Sequence, residues 1–146
     1  MAVFDVNAIV RKYLVTASAE TNDLIALVGA KIFCPRLPEN TTLPAVSLFV
    51  RGGISTPYIP PLVSPSFQID SWHDNPIGAR EVYRDIYQAL QGIQHVAVTI
   101  AGTTYYIESA IEEVQGQDLA DNPGENRNDI PGYFRVLTFF NIMVKI

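Results

Sequence analysis

The run GYFRVLTFFNIMVKI, from Gly132 to Ile146, reads as one long β-strand. Side chains alternate across a strand, so Phe134, Val136, Phe140, Ile142 and Val144 define a core face. The second face carries Tyr133, Arg135, Leu137, Phe139, Asn141, Met143 and Lys145. A face open to water is normally polar, yet this one places Leu137, Phe139 and Met143 together. Either helices cover it or a neighbouring subunit does. Taken with the long proline-rich and acidic loops, that face favours an assembling protein over a free monomer.

Working back along the chain, Thr104–Val114 and His95–Ile100 read as two further strands around the turn Ala101-Gly102-Thr103. Tyr105, Ile107 and Ile111 fall on one face of the longer strand, and Tyr106, Glu108 and Glu112 on the other. Residues 115–131 are polar and rich in turn formers, a length uncommon for a connection unless it is functional or disordered. SFQIDSW, Ser66–Trp72, alternates again, with Phe67 and Ile69 on one side and Gln68, Asp70 and Trp72 on the other. AVSLFVR, Ala45–Arg51, is a strand closed by Gly52-Gly53. Between these two, residues 54–65 hold Pro57, Pro60, Pro61 and Pro65, which do not fit a central strand, so the segment reads as an exposed loop.

The helices have clear start signals. Asp5 is placed to cap a helix whose apolar stripe is Val6, Ile9, Val10, Tyr13 and Leu14. Thr21 is placed to cap a second, Asn22–Val28, stopped by Gly29. Asn75 followed by Pro76 opens a third, with Ala79, Val82, Ile86 and Leu90 buried and Gly92 as its end. Two helices, three strands counting the short Lys31-Ile32-Phe33-Cys34 segment, a helix and three strands make an α+β domain: a mixed, mainly antiparallel β-sheet with helices packed on it. Residues 1–146 form one such domain, with loop insertions near 54–65 and 115–131.

Composition narrows the function. The chain has 146 residues, 48% of them hydrophobic, and a formal net charge of −5. One domain with a sizeable core follows from the size. The negative balance disfavours tight non-specific binding to duplex DNA, which depends on basic side chains displacing counterions. Cys34 is the one cysteine; it forms no intrachain disulfide and reads as a small buried hydrophobe. No stretch approaches the roughly 20 apolar residues that span a bilayer. MAVFDVNAIVRKYL has its acid early and its basic pair late, the reverse of a signal peptide, so use in a cytoplasm is expected.

Chemistry-bearing motifs are absent. His73 and His95 lie in different elements without metal-site spacing, and His73 with Asp70 and Asn75 reads as a turn beside a helix cap. No glycine pattern cradles phosphate, and no serine sits in a G-x-S-x-G elbow. Glu108 and Glu112, read as same-face strand residues, would stand about 13 Å apart, too far to pair. Asp118, Asp121, Glu125 and Asp129 lack the order of a calcium loop and read as one acidic loop. We expect no catalytic, cofactor or metal site, and not an enzyme. Trp72, the one tryptophan, reads as a packing anchor or as part of an interface, where aromatics concentrate.

Several stretches taken in order resemble the small tail terminator, or tail completion, proteins of long-tailed bacteriophages. They are LIALVG at Leu24–Gly29 after the amphipathic first helix, LPAVSL at Leu43–Leu48, FQIDSW at Phe67–Trp72, AREVYRDIYQAL at Ala79–Leu90, and YFRVLTF at Tyr133–Phe139. The resemblance spans most of the chain. It implies a mixed sheet with helices on it and a ring, usually a hexamer, at the head-proximal end of the tail tube. Such a ring ends tube growth and joins the tail to the neck, and DNA passes through its lumen without specific binding. The implied partners are further copies of the chain, the tail tube protein and a head-closure or connector protein. No membrane is involved, and the place of action is the virion, after synthesis in the host cytoplasm. Ile54–Ser64 and Gln115–Pro131 depart from the family pattern as insertions. Trp72, Leu137, Phe139 and Met143 are candidates for the subunit interface. Asp118, Asp121, Glu125 and Asp129 are candidates for the lumen or a docking rim. The competing readings are a head-closure or connector protein, a tail-tube subunit, a soluble adaptor, and an enzyme with an unrecognised site.

Overall fold

The structure is a computed structural model that describes residues 5–38, 40–55, 62–121 and 133–145; at 54, 55, 120 and 121 it describes the backbone alone. The first helix, α1 (Val6–Val15), starts after Asp5, whose backbone is extended. The Asp5 carboxylate accepts from the backbone N–H of Asn7 at 3.0 Å and of Ala8 at 3.4 Å. Ile9, Val10, Tyr13 and Leu14 are its buried residues, the 3.6-residue stripe of a helix lying on a core. The second, α2 (Asn22–Val28), ends at Gly29, whose φ of +61° is a conformation that glycine adopts without strain. Thr21 precedes it but makes no side-chain cap; its hydroxyl donates instead to the Thr16 carbonyl at 2.6 Å. The third, α3 (Pro76–Leu90), opens as expected, with Asn75 Oδ1 accepting from Gly78 N–H at 2.6 Å and Pro76 in the first turn.

The strands are β1 (Ile32–Phe33), β2 (Ala45–Ser55), β3 (Leu62–His73), β4 (Gln94–Ile100), β5 (Thr103–Asp121) and β6 (Tyr133–Lys145). They form one sheet in the order β1-β2-β3-β6-β5-β4. Only the β1–β2 pairing is parallel; the four others are antiparallel. The α+β class read from the sequence is the architecture found, and β6 is a central strand between β3 and β5.

Helices α1, α2 and α3 share one core with a single face of this sheet. Leu14, Leu24 and Ile86 join Leu48, Phe67, Ile69, Phe140, Ile142 and Val144 in one cluster of fully buried side chains. Phe67 and Phe140 sit opposite each other across β3 and β6, and burying each contributes roughly 1.5–3 kcal/mol. The Tyr13 hydroxyl donates to the Ala89 carbonyl at 2.5 Å, fastening α1 to the last turn of α3. Among the described residues no helix lies on the opposite face, the one that carries Leu137, Phe139 and Met143.

Three local readings are corrected. First, Pro65 is not in a loop but inside β3, which is flanked by β2 and β6. The sheet accommodates the missing N–H by leaving Ser64 and Pro65 out of the register with β6, which passes from Val63↔Val144 to Ser66↔Asn141. On the other side Pro65 faces Gly53, where a Cβ would come within 2.5 Å of the Pro65 Cα; glycine there admits the close approach. Second, residues 115–121 are strand, not loop: β5 continues to Asp121, which pairs with Tyr133. The Tyr83 ring fixes this extension from the helix side, its oxygen accepting from Gly116 N–H at 3.2 Å. Third, Glu108 and Glu112 do not share a face. Register shifts between Ile107 and Ser109, and again after Glu112, are bulges that insert extra residues. Ile107 and Ala110 are consequently both buried, and Ile111 is 55% exposed.

Candidate functional site

The uncovered face of the sheet is the candidate site, and alternation puts its residues there. Ser66, Gln68, Asp70 and Trp72 come from β3, opposite in phase to the buried Phe67 and Ile69. Leu137, Phe139 and Met143 come from β6, opposite in phase to Val136, Phe140, Ile142 and Val144. The register sets Gln68 beside Phe139, Asp70 beside Leu137, and Trp72 beside Arg135. All four candidate interface residues thus lie on one face. Leu137, Phe139, Met143 and Trp72 are each half-buried, so the sheet's own side chains shield them in part.

Polar groups do that shielding. The Arg51 guanidinium lies 3.8 Å above the centre of the Phe139 ring, a cation–π arrangement. Arg51 Nε donates to Ser66 Oγ at 3.2 Å, and Ser66 Oγ donates to Glu113 Oε1 at 2.6 Å. Asp70 is only 4% exposed, and a buried carboxylate needs partners. It accepts from Gln68 Nε2 at 3.3 Å and from Arg135 at 3.4 Å. The Arg135 guanidinium also lies 5.4 Å from the Trp72 ring. Trp72 Nε1 donates to Ser47 Oγ at 2.9 Å, which anchors the indole at the end of β3. At the opposite end of β6, Glu108 meets Lys145 at 3.2 Å and His95 at 3.1 Å, and the His95 ring stacks on Tyr106 at 4.6 Å. The hydrogen bond from His95 and the Lys145 charge hold the Glu108 carboxyl below its usual range.

Beyond Trp72 the face ends in a cleft of about 350 Å³ lined by Leu37, Pro38, Asn40, Thr41, Leu43, Trp72 and Tyr133. The face thus combines half-buried aromatics with arginines beside them, residue types enriched at interfaces. They do not converge on a point where a reacting atom would sit.

Of the acidic candidates, Asp118 separates from that face. Asp118 stands on β5 opposite Val136, and its Oδ1 is 3.2 Å from Arg80 Nε of α3. It therefore belongs to the helix side. Asp121 is placed by its backbone pairing with Tyr133, while Glu125 and Asp129 lie outside the described residues. On the helix side a different carboxylate is tied in. Glu112 Oε2 accepts from the Tyr83 hydroxyl at 2.6 Å and from Thr138 Oγ1 at 2.7 Å.

His73 turns back on its own loop, its Nδ1 2.5 Å from Asp74 Oδ1, and its ring occupies the space that a Cβ on Gly78 would need. Among the described residues no three His, Cys, Asp or Glu side chains are grouped to hold a metal ion. No helix among them is long and apolar enough to cross a membrane. Sequence reading missed the Arg51–Ser66–Glu113 chain; its one available signal was the polar phase of SFQIDSW, which continues back to Ser66.

No protein-family model matches the chain, and no curated protein matches its sequence. The geometry of the uncovered face therefore carries the functional reading.

Proposed function

We propose that this chain is a structural virion protein of long-tailed bacteriophages, a tail terminator. In this reading copies of it form a ring, hexameric in the usual manner, at the head-proximal end of the tail tube. The ring ends tube growth and joins the tail to the head-closure or connector protein of the neck, and DNA passes through its lumen. The protein is made in the host cytoplasm and acts in the virion. No catalytic step is part of the reading.

The observation that carries it is the one-sided sheet. Three helices cover the Phe140 face, and no helix among the described residues covers the face of Leu137, Phe139 and Met143. A contact between such a patch and a different patch on the next copy is heterologous, and heterologous contacts close into rings when the rotation allows. The net charge of −5 suits a conduit, because like charge keeps the DNA backbone from adhering.

Electron microscopy of the purified protein, alone and mixed with tail tubes, tests the proposal. Rings that cap one end of a tube and arrest its growth are the expected result. Rings that seat on the head connector and ignore the tube would move the protein to the head-closure class, and unlimited tubes would make it a tube subunit. No ring and no end-binding under either condition would overturn the structural reading.

A further inference from the structure

We infer that the cleft beside Trp72 is a binding site for a polyproline-type segment, and that its occupant is the proline segment Pro57–Pro61 of a second copy of this chain. The cleft has the chemistry for it. Trp72 and Tyr133 are its aromatic walls, Leu37, Pro38 and Leu43 complete an apolar trough, and Asn40 and Thr41 stand on its rim. Tyr133 is 42% exposed, so an aromatic surface is presented to solvent. Aromatic-lined grooves of this kind recognise Pro-x-x-Pro segments, whose polyproline II shape is set before binding and so costs little entropy to hold. The chain itself contains such a segment. Pro57-Tyr58-Ile59-Pro60-Pro61 has prolines three apart, followed directly by a third, and no charged residue.

Chain geometry decides between an internal and an external occupant. The segment joins Ser55, the last residue of β2, to Leu62, the first of β3. The cleft lies at the other end of β3, at Trp72. Ten residues of strand between Leu62 and Trp72 span about 33 Å at the usual rise. A connection of residues 56–61, held at both ends, extends no more than roughly 12 Å beyond the hairpin. It cannot reach the cleft of its own subunit. The neighbouring stretch 122–132 leaves from Asp121 and returns at Tyr133, close to the cleft; it carries Pro123, Ile130 and Pro131, but its prolines are eight apart and Glu125, Arg127 and Asp129 lie between them, so it lacks the uncharged Pro-x-x-Pro spacing of Pro57–Pro61. Tip-to-cleft docking joins two different patches at opposite ends of one sheet, so each copy both gives and receives. The inference deepens the assembly reading above, and its test needs neither rings nor tail tubes.

Trp72 is the one tryptophan, so its fluorescence reports on the cleft directly. The probe is a synthetic peptide of residues 54–66, titrated into the full chain carrying Pro60→Ala and Pro61→Ala, whose own segment no longer competes. Saturable change in Trp72 emission is expected, with binding at least about tenfold weaker for the same peptide with alanine at 57, 60 and 61. The Pro60→Ala, Pro61→Ala chain is also expected to shift toward monomer in sedimentation, relative to the unaltered chain, under conditions where the latter associates. No fluorescence response to the peptide overturns the site. A response equalled by an unrelated Pro-x-x-Pro peptide, with unaltered sedimentation of the double variant, overturns the second copy as occupant. Peptide binding with no rings on tail tubes would leave this inference standing and remove the terminator reading.

Discussion

The two faces of the sheet are built from the same strands and obey opposite rules. On the helix side, Phe67, Ile69, Phe140, Ile142 and Val144 are wholly buried, and the hydrophobic effect explains their identity. On the other side, large apolar groups of β3 and β6 are only half-buried, and charged neighbours lie by them: Arg51 on Phe139, Arg135 near Trp72. One face is finished by folding. The other leaves half-buried apolar groups under paired polar side chains. The difference teaches that apolar content alone does not identify a core; what lies over each side chain does.

Adjacent phenylalanines on β6 give the sharpest way to break this comparison. Phe140→Ala removes a ring from the closed core and is expected to cost about 3–5 kcal/mol of stability, read by urea denaturation. Phe139→Ala removes a half-buried ring under Arg51 and is expected to cost no more than about 1–2 kcal/mol, while lowering the mass of any assembly seen in sedimentation. Equal losses of stability in the two variants would mean that the second face is also core. An unchanged assembly in a folded Phe139→Ala protein would remove Phe139 from the interface.

pH separates the faces by sign. Burial, with a smaller contribution from Glu20, pushes the Tyr13 hydroxyl up to about 12. The folded state holds that proton when the unfolded chain, near 10, has released it. Stability from this group is fully present below about 10 and is lost as pH rises toward about 12, on the order of 2 kcal/mol. Glu108 on the other face behaves oppositely. Its carboxyl is depressed by His95 and then Lys145, so its contribution is present above the ordinary carboxylate range and fades as pH falls through the lowered value. Thermal denaturation against pH, with Tyr13→Phe as the control, checks this. The substitution should reduce the alkaline decline between about 10 and 12, leaving the part due to Tyr83, whose hydroxyl burial also pushes up, and should leave the acid limb alone.

Much of the fold was legible because periodicity carries over distance. The stripes of α1 and α3 and the two phases of β6 appear in the sequence as spacing, and Asn75-Pro76 marks a helix start by local chemistry. What escaped was set by partners far along the chain. Pro65 reads as a strand breaker until Gly53 is opposite it and β6 skips it. Gly116 reads as loop until the Tyr83 ring is seen against it. The bulges of β5 that part Glu108 from Glu112 leave no trace in composition. In the candidate site, alternation was enough to gather Leu137, Phe139 and Met143. Of the acidic group, Asp118 and Asp121 stand on β5 rather than in a loop, because pairing with β6 carries the strand past Gly116; Glu125 and Asp129 lie outside the described residues.

Asp118 offers the finest test of that separation. If it acted with the uncovered face, neutralising it would disturb assembly. Its Oδ1 instead meets Arg80 Nε at 3.2 Å, with the two side chains 65% and 43% exposed. Water screens such a pair, and exposed pairs contribute about 0–1 kcal/mol. Asp118→Asn is therefore expected to shift the urea midpoint by the equivalent of roughly 0.5 kcal/mol or less, and less still at high salt. Sedimentation of the variant should match that of the unaltered chain. A loss of assembly comparable to that of Phe139→Ala would place the end of β5 in the contact between copies, and the helix-side surface around Arg80 would then be the second patch that a ring requires.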